Sequence, residues 1–270
     1  MSGQELGSNA PPSESSPALQ PEARAPVGGL WGEIRDALSG IHIPGALAAT
    51  VSTVALIVSH HHGNTGSYRR AFGGLIGGQM GEVAPYLYWF GASVALYLLL
   101  PLFAAALTPG LKVRQTGIGL GDWRTGLAAT AAVLLVFLPI VFVASRMPAF
   151  AGHYPLCSGA RKAWSLFLVY ELAYAAYFVA WEYMYRGYLL FSLEKSMGKM
   201  AVFAQMMPFA IIHFGKPEAE TFGAIIAGIF LGLLALRTRS FWYGAIIHIA
   251  VAVTMDLLTA WGPLTRLSQG

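Results

Sequence analysis

Apolar positions run along this chain in long blocks, not in alternation. Ala37 to Tyr68 holds no Asp, Glu, Lys or Arg over 32 residues, Val83 to Leu111 none over 29, and Thr125 to Ser145 none over 21. A helix needs about 20 apolar residues to cross a hydrocarbon core of about 30 Å. Backbone polar groups in lipid must be satisfied within the segment, so such blocks predict helices. The period-2 alternation of a membrane barrel is absent. Seven segments follow from the pattern, at about 43–60, 85–107, 126–145, 163–193, 200–213, 219–236 and 241–261. The fifth is short and carries Pro208, so the count ranges from six to eight. The expected fold class is all-α: a polytopic membrane helical bundle with about seven transmembrane helices.

Composition sharpens that reading. Of 270 residues 56% are hydrophobic and 11% charged, against roughly 25% charged in ordinary soluble domains. This excludes a water-soluble globule of ordinary surface. The net charge of +4 is small and scattered between apolar runs, which argues against nucleic acid as a partner. Cys157 is the single cysteine, so neither an intrachain disulfide nor a multi-thiolate metal site is available.

Residues 1–40 read as a flexible, largely disordered tail, with five prolines between Pro11 and Pro26. It lacks the basic and apolar blocks of a cleaved signal peptide. Residues 41–265 then form the transmembrane helical domain, and residues 61–83 a glycine-rich connection. With alternating crossings, nine Lys and Arg fall on the amino-terminal side and seven on the other. The positive-inside rule therefore places the amino terminus in the cytoplasm.

A few ionisable residues interrupt the apolar segments, each costing about 2.5–3.5 kcal/mol at a helix centre. Glu171, Glu182 and Arg186 lie in the fourth segment and His213 in the fifth. Glu220 opens the sixth, and His248 and Asp256 lie in the seventh. Glu182 and Arg186 are spaced i, i+4 and share a face, the acid preceding the base. Glu171, three turns earlier, falls on the same face but nearer the segment start, where such a residue is ordinarily interfacial. Measured from one membrane side, Glu182 lies about 16 Å deep, His213 about 19 Å and His248 about 14 Å. A carboxylate and two imidazoles thus converge near the midplane from three helices. Such a set can activate a water, with the carboxylate as general base and the imidazoles positioning the water or stabilising an oxyanion. Two His and one carboxylate can also hold zinc, but HExxH is absent and no further ligand lies at that depth. No cofactor is expected, zinc being the less favoured alternative. No GxSxG elbow is present.

These residues resemble three motifs of the CPBP family, which includes the CAAX prenyl endopeptidases and Abi-type, bacteriocin-processing membrane proteases. Trp181-Glu182-Tyr183-Met184-Tyr185-Arg186 matches EExxxR, Phe209 with His213 matches FxxxH, and His248 opens HxxxN. The similarity covers about 115–260, with Gly119-Leu120-Gly121-Asp122-Trp123-Arg124 as a lead-in. It implies an intramembrane endopeptidase acting on a membrane-anchored protein or peptide, with the lipid bilayer as its surroundings and a bacterial cytoplasmic membrane as its location. Glu182, His213 and His248 carry over as catalytic residues, with Arg186 and Phe209 in support. Two positions depart from the pattern: Trp181 replaces the first glutamate and Ala252 the asparagine. Glu182 would then serve as base, with Glu220 or Asp256 as substitutes, although counting places both too far along their helices. The alternatives are an inactive relative that binds a membrane partner and a small proton-coupled transporter.

Among the other features, Ala224, Gly228 and Gly232 read as a helix-packing face. His60, His61 and His62 read as a solvated cap. Tyr174 and Tyr177 read as interfacial or packing aromatics, and Lys216 with Glu218 as a local solvated pair.

Overall fold

The computed structural model describes residues 29–267, and among these it contains nine helices and no strand. The contacts divide the chain at Ile41/His42. In the first unit, α1 (Gly29–Leu38) is a helix inside the stretch read as a tail, and the prolines of that tail lie outside the described residues. Its apolar residues Leu30, Trp31, Ile34 and Leu38 are all exposed.

The second unit holds the bundle. It comprises α2 (Ile43–His62), α3 (Thr65–Phe72), α4 (Gly78–Leu107), α5 (Trp123–Ala144) and α6, which starts at Trp164. α7 (Ala201–Ile211), α8 (Glu218–Thr238) and α9 (Trp242–Leu267) complete it. Six helical runs are long and apolar enough to cross a membrane, and the protein is an integral multi-pass membrane protein. The fourth expected segment is longer than its pattern suggested. α6 runs as Trp164–Glu182, widens into a π turn at Tyr183–Leu189 and ends as Leu190–Met197. The fifth is an 11-residue helix, α7, joined to α6 by the tight turn Gly198–Met200. At about 1.5 Å per residue α7 spans roughly half the hydrocarbon thickness. The connection at 61–83 is not all loop, since α3 lies within it.

α6 is the axis of the bundle, packing against α2, α4, α7 and α9. Its π turn is buried at every one of seven residues, which explains how a tyrosine-rich stretch sits in a membrane protein without facing lipid. Tyr170, Tyr174 and Tyr177 stack with Phe90 and Trp89 of α4, so Tyr174 and Tyr177 are packing residues, not interfacial ones. α7 and α8 form a tight pair through the small face of α8. A Cβ at Gly232 would stand 2.7 Å from Gln205 Nε2, which donates to the carbonyls of Gly228 and Val202. His60, His61 and His62 end α2 exposed to solvent.

The lead-in at 119–124 has a structural task. Gly121 has φ +53°, and a side chain there would collide with the Thr238 carbonyl 1.8 Å away. That close approach lets the Asp122 amide donate to Thr238 O at 2.9 Å. Asp122 caps α5 by accepting from Thr125 and pairs with Arg237 at 3.0 Å. The bonds from Thr125, with Arg237 adding, hold its carboxyl below the ordinary range. Trp242 and Tyr243 donate to the carbonyls of Ile118 and Leu120. The start of α9 is therefore locked, and with it the height of His248.

Candidate active site

Glu182 is the centre of the site. It is the last residue before the π turn of α6 and is 0% exposed. Its Oε1 accepts from Arg186 Nη1 at 2.9 Å and meets His248 Nδ1 at 2.9 Å. The i, i+4 spacing on α6 thus yields a wholly buried ion pair, completed by an imidazole from α9. With Nδ1 donating to the carboxylate, the neutral His248 ring presents Nε2 as an acceptor. Glu182 Oε2 is equally buried and meets no donor. It lies against Gly244, where a Cβ would come within 2.7 Å. Gly244 stands one turn before His248 on α9, so the glycine admits the carboxylate that the histidine binds.

Phe209 joins the second motif to the first. The Arg186 guanidinium carbon lies over its ring at 3.8 Å, a cation–π contact that covers the buried charge. The ring also contacts His213, with centroids 4.7 Å apart, and His248 at 6.2 Å. His213 lies just past the end of α7 in the turn that follows, one turn from Phe209 and not on the helix itself. Its Nδ1 stands 2.7 Å from Phe209 O. A carbonyl only accepts, so Nδ1 carries the proton and Nε2 of the neutral ring is an acceptor. His213 is beside the Glu182 group across Phe209, without a direct bond to the carboxylate.

The two substitute acids do not join this group. Glu220 accepts from Tyr154 at 2.6–2.7 Å and from Lys216 at 2.7 Å. Lys216, in the turn just before α8, therefore pairs with Glu220 in the first turn of that helix and not with Glu218, which is exposed. Burial, with the Glu220 carboxylate adding, pushes the Tyr154 hydroxyl well above its ordinary range and keeps it a donor. Thr221 ties this arrangement to the site by donating to His213 O at 3.0 Å. Asp256 lies two turns beyond His248, beside Glu171. Glu171 is buried, at 7% exposure.

Trp181, at the position of the missing glutamate, is 5% exposed. It packs edge-on against His213 at 6.0 Å and Phe209 at 6.2 Å, and against Tyr177 at 5.1 Å. Ala252 is partly buried in the apolar core. Three contributors were not singled out by sequence reasoning. Phe178 stacks on His248 at 4.1 Å; its place four residues before Glu182 was a usable signal. Gly244 had the same i−4 relation to His248. Tyr154 had no signal, since its pairing spans 66 residues.

Among the described residues no three His, Cys, Asp or Glu side chains converge as ligands.

Comparison with known proteins agrees with the motifs. Residues 161–254 match the family model described as type II CAAX prenyl endopeptidase, Rce1-like. This is the CPBP-type family that the three motifs resemble, and the matched segment, about a third of the chain, contains Glu182, Arg186, Phe209, His213 and His248. It points to a CAAX-protease-like intramembrane protease fold. No curated protein and no solved structure matches the chain.

Proposed function

We propose that the protein is an intramembrane endopeptidase that hydrolyses a peptide bond in a membrane-anchored protein or peptide of a bacterial-type cytoplasmic membrane. The observation that carries this reading is the state of Glu182: one oxygen is fixed by two donors, the other is buried with no partner. A buried acceptor without a donor costs about 1–3 kcal/mol, and a water donating to Oε2 supplies the donor. In this mechanism Arg186 pairs with the carboxylate, and Nε2 of one of the two imidazoles, His248 or His213, accepts the second hydrogen of the water and orients it. The water oxygen attacks the scissile carbonyl carbon while its proton passes to Glu182. As the C–N bond breaks, Glu182 returns that proton to the leaving amine.

The test is cleavage of lipidated tail peptides and membrane-anchored leader peptides by the purified protein in liposomes. Glu182→Gln should lower turnover by about 10²-fold or more. The Glu182→Gln/His213→Ala double variant should be little worse than either single one, since groups acting as a unit are not additive. Near-wild-type turnover by Glu182→Gln would place the water activator elsewhere. Chelation should leave activity intact; stoichiometric zinc, with activity lost on stripping and restored on addition, would reverse the assignment.

Trp181 favours a second reading, an inactive relative that binds a membrane peptide. Its indole fills space beside His213 that a second carboxylate would otherwise occupy. Saturable peptide binding without cleavage, lost in Trp181→Ala, would establish it.

A further inference from the structure

The helix α1 presents an apolar face that the described residues leave open. At about 100° per residue, Leu30, Trp31, Ile34 and Leu38 fall within an arc of about 100°, and Glu33, Arg35 and Asp36 all fall outside it. The four apolar side chains are exposed, Trp31 at 80% and Leu30 at 69%, and no residue of the helix is buried. Among the described residues the charged side chains make one ion pair, Arg35 with Asp36 at 4.0 Å, and both are open to solvent. An isolated helix shorter than about 12–15 residues is marginal in water. A 10-residue helix with nothing buried therefore needs an apolar surface to rest on.

Chain connectivity names that surface. α1 ends at Leu38, and α2, the first membrane span, starts at Ile43. A link of that length reaches at most about 18 Å when fully extended. The polar layer on each side of the hydrocarbon is itself about 5–8 Å thick, so the end of α1 stays close to the bilayer surface. Exposed apolar side chains also continue along the chain into the span, at Ile41, Ile43 and Leu47.

Charge then selects the kind of bilayer contact. With one base against two acids, α1 gains nothing from anionic headgroups. Burial of the apolar arc has to carry the contact. Trp31 stands at the edge of that arc, where an indole suits the headgroup level.

We propose that α1 is an interfacial helix lying in the plane of the membrane, with its Leu30, Ile34 and Leu38 face pressed into lipid and its acids in water. The lipid surface is then a binding partner of α1 in its own right, whether or not Glu182 is catalytic.

The test is a spin-label scan of the full chain in phosphatidylcholine vesicles. Cys157→Ser removes the only native thiol, and single cysteines then replace each residue from Leu30 to Leu38 in turn. Collision with oxygen, which concentrates in lipid, and with a water-soluble nickel chelate should oscillate in antiphase, with a period of about 3.6 residues. Oxygen should dominate at Leu30, Trp31, Ile34 and Leu38, at a depth of about 5–10 Å. Nickel should dominate at Glu33, Arg35 and Asp36. Adding phosphatidylglycerol should leave the pattern unchanged. Ile34→Asp, read from a label at position 38, should turn that position from oxygen to nickel. Nickel access at every position overturns the interfacial placement, since the helix is then in water. Exclusion of both reagents from the apolar positions also overturns it, because the face is then covered by protein, whether the bundle or a second copy. A pattern that needs phosphatidylglycerol overturns the assignment to apolar burial.

Discussion

The two polar contacts between α6 and α9 each hold a buried glutamate of α6 and are balanced in opposite ways. At one, the Glu182 carboxylate has a guanidinium from its own helix and an imidazole from the other, both at 2.9 Å. At the other, Glu171 and Asp256 face each other with a tyrosine and no base. A self-contained ion pair can be carried into a membrane by a single helix, because the i, i+4 spacing assembles it locally. An acid facing an acid exists only when two helices pack, and its balance must come from a proton. The first contact therefore reads as a preorganised charge and the second as a place where a proton is held.

That contrast can be broken most severely at Arg186. Arg186→Met leaves the buried Glu182 charge uncompensated and should cost about 3–5 kcal/mol in unfolding experiments. Adding Glu182→Gln should recover part of the loss, because both charges are then gone. A cost below about 1 kcal/mol would show that the pair carries no such charge.

A milder test moves the carboxylate without removing it. Gly244→Ala places a methyl group 2.7 Å from Glu182 Oε2. Peptide turnover should fall by about ten-fold, since misplacement by about 1 Å can cost up to about 10²-fold. Stability should change by no more than about 1 kcal/mol, alanine being the better helix former. Unchanged kinetics would show that Gly244 does not set the position of Glu182.

The smallest effect is expected at the acid pair. Asp256→Asn should leave stability unchanged or raise it by up to about 1 kcal/mol, because a buried charge without a base is lost. A loss of about 2 kcal/mol or more would reveal a permanent ionic partner and erase the difference between the two contacts.

Much of this architecture was legible from the pattern alone. Charge-free blocks long enough to span a bilayer predict helices, since lipid offers the backbone no other partner. The Glu182–Arg186 pair followed from spacing, and matched depths placed His213 and His248 near it. The same counting separated Glu220 and Asp256 from that group, and the structure gives them other partners, Tyr154 with Lys216 and Glu171. The pairing of Lys216 with Glu220 instead of Glu218 did not follow from helical spacing, because Lys216 precedes α8.

What the sequence determines by itself is therefore whatever depends on one helix: the length of a segment, the face a residue occupies and its depth along the axis. The tertiary structure decides what depends on two. It seats Glu182 against Gly244, lays Phe209 between Arg186 and His213, and packs Trp181 against His213. It also widens α6 into a π turn at Tyr183–Leu189, immediately after Glu182, and buries every residue of it. The rotation of one helix against another is set by side-chain packing across the interface. Spacing along a single chain contains the period of each helix but not the angle at which two of them meet.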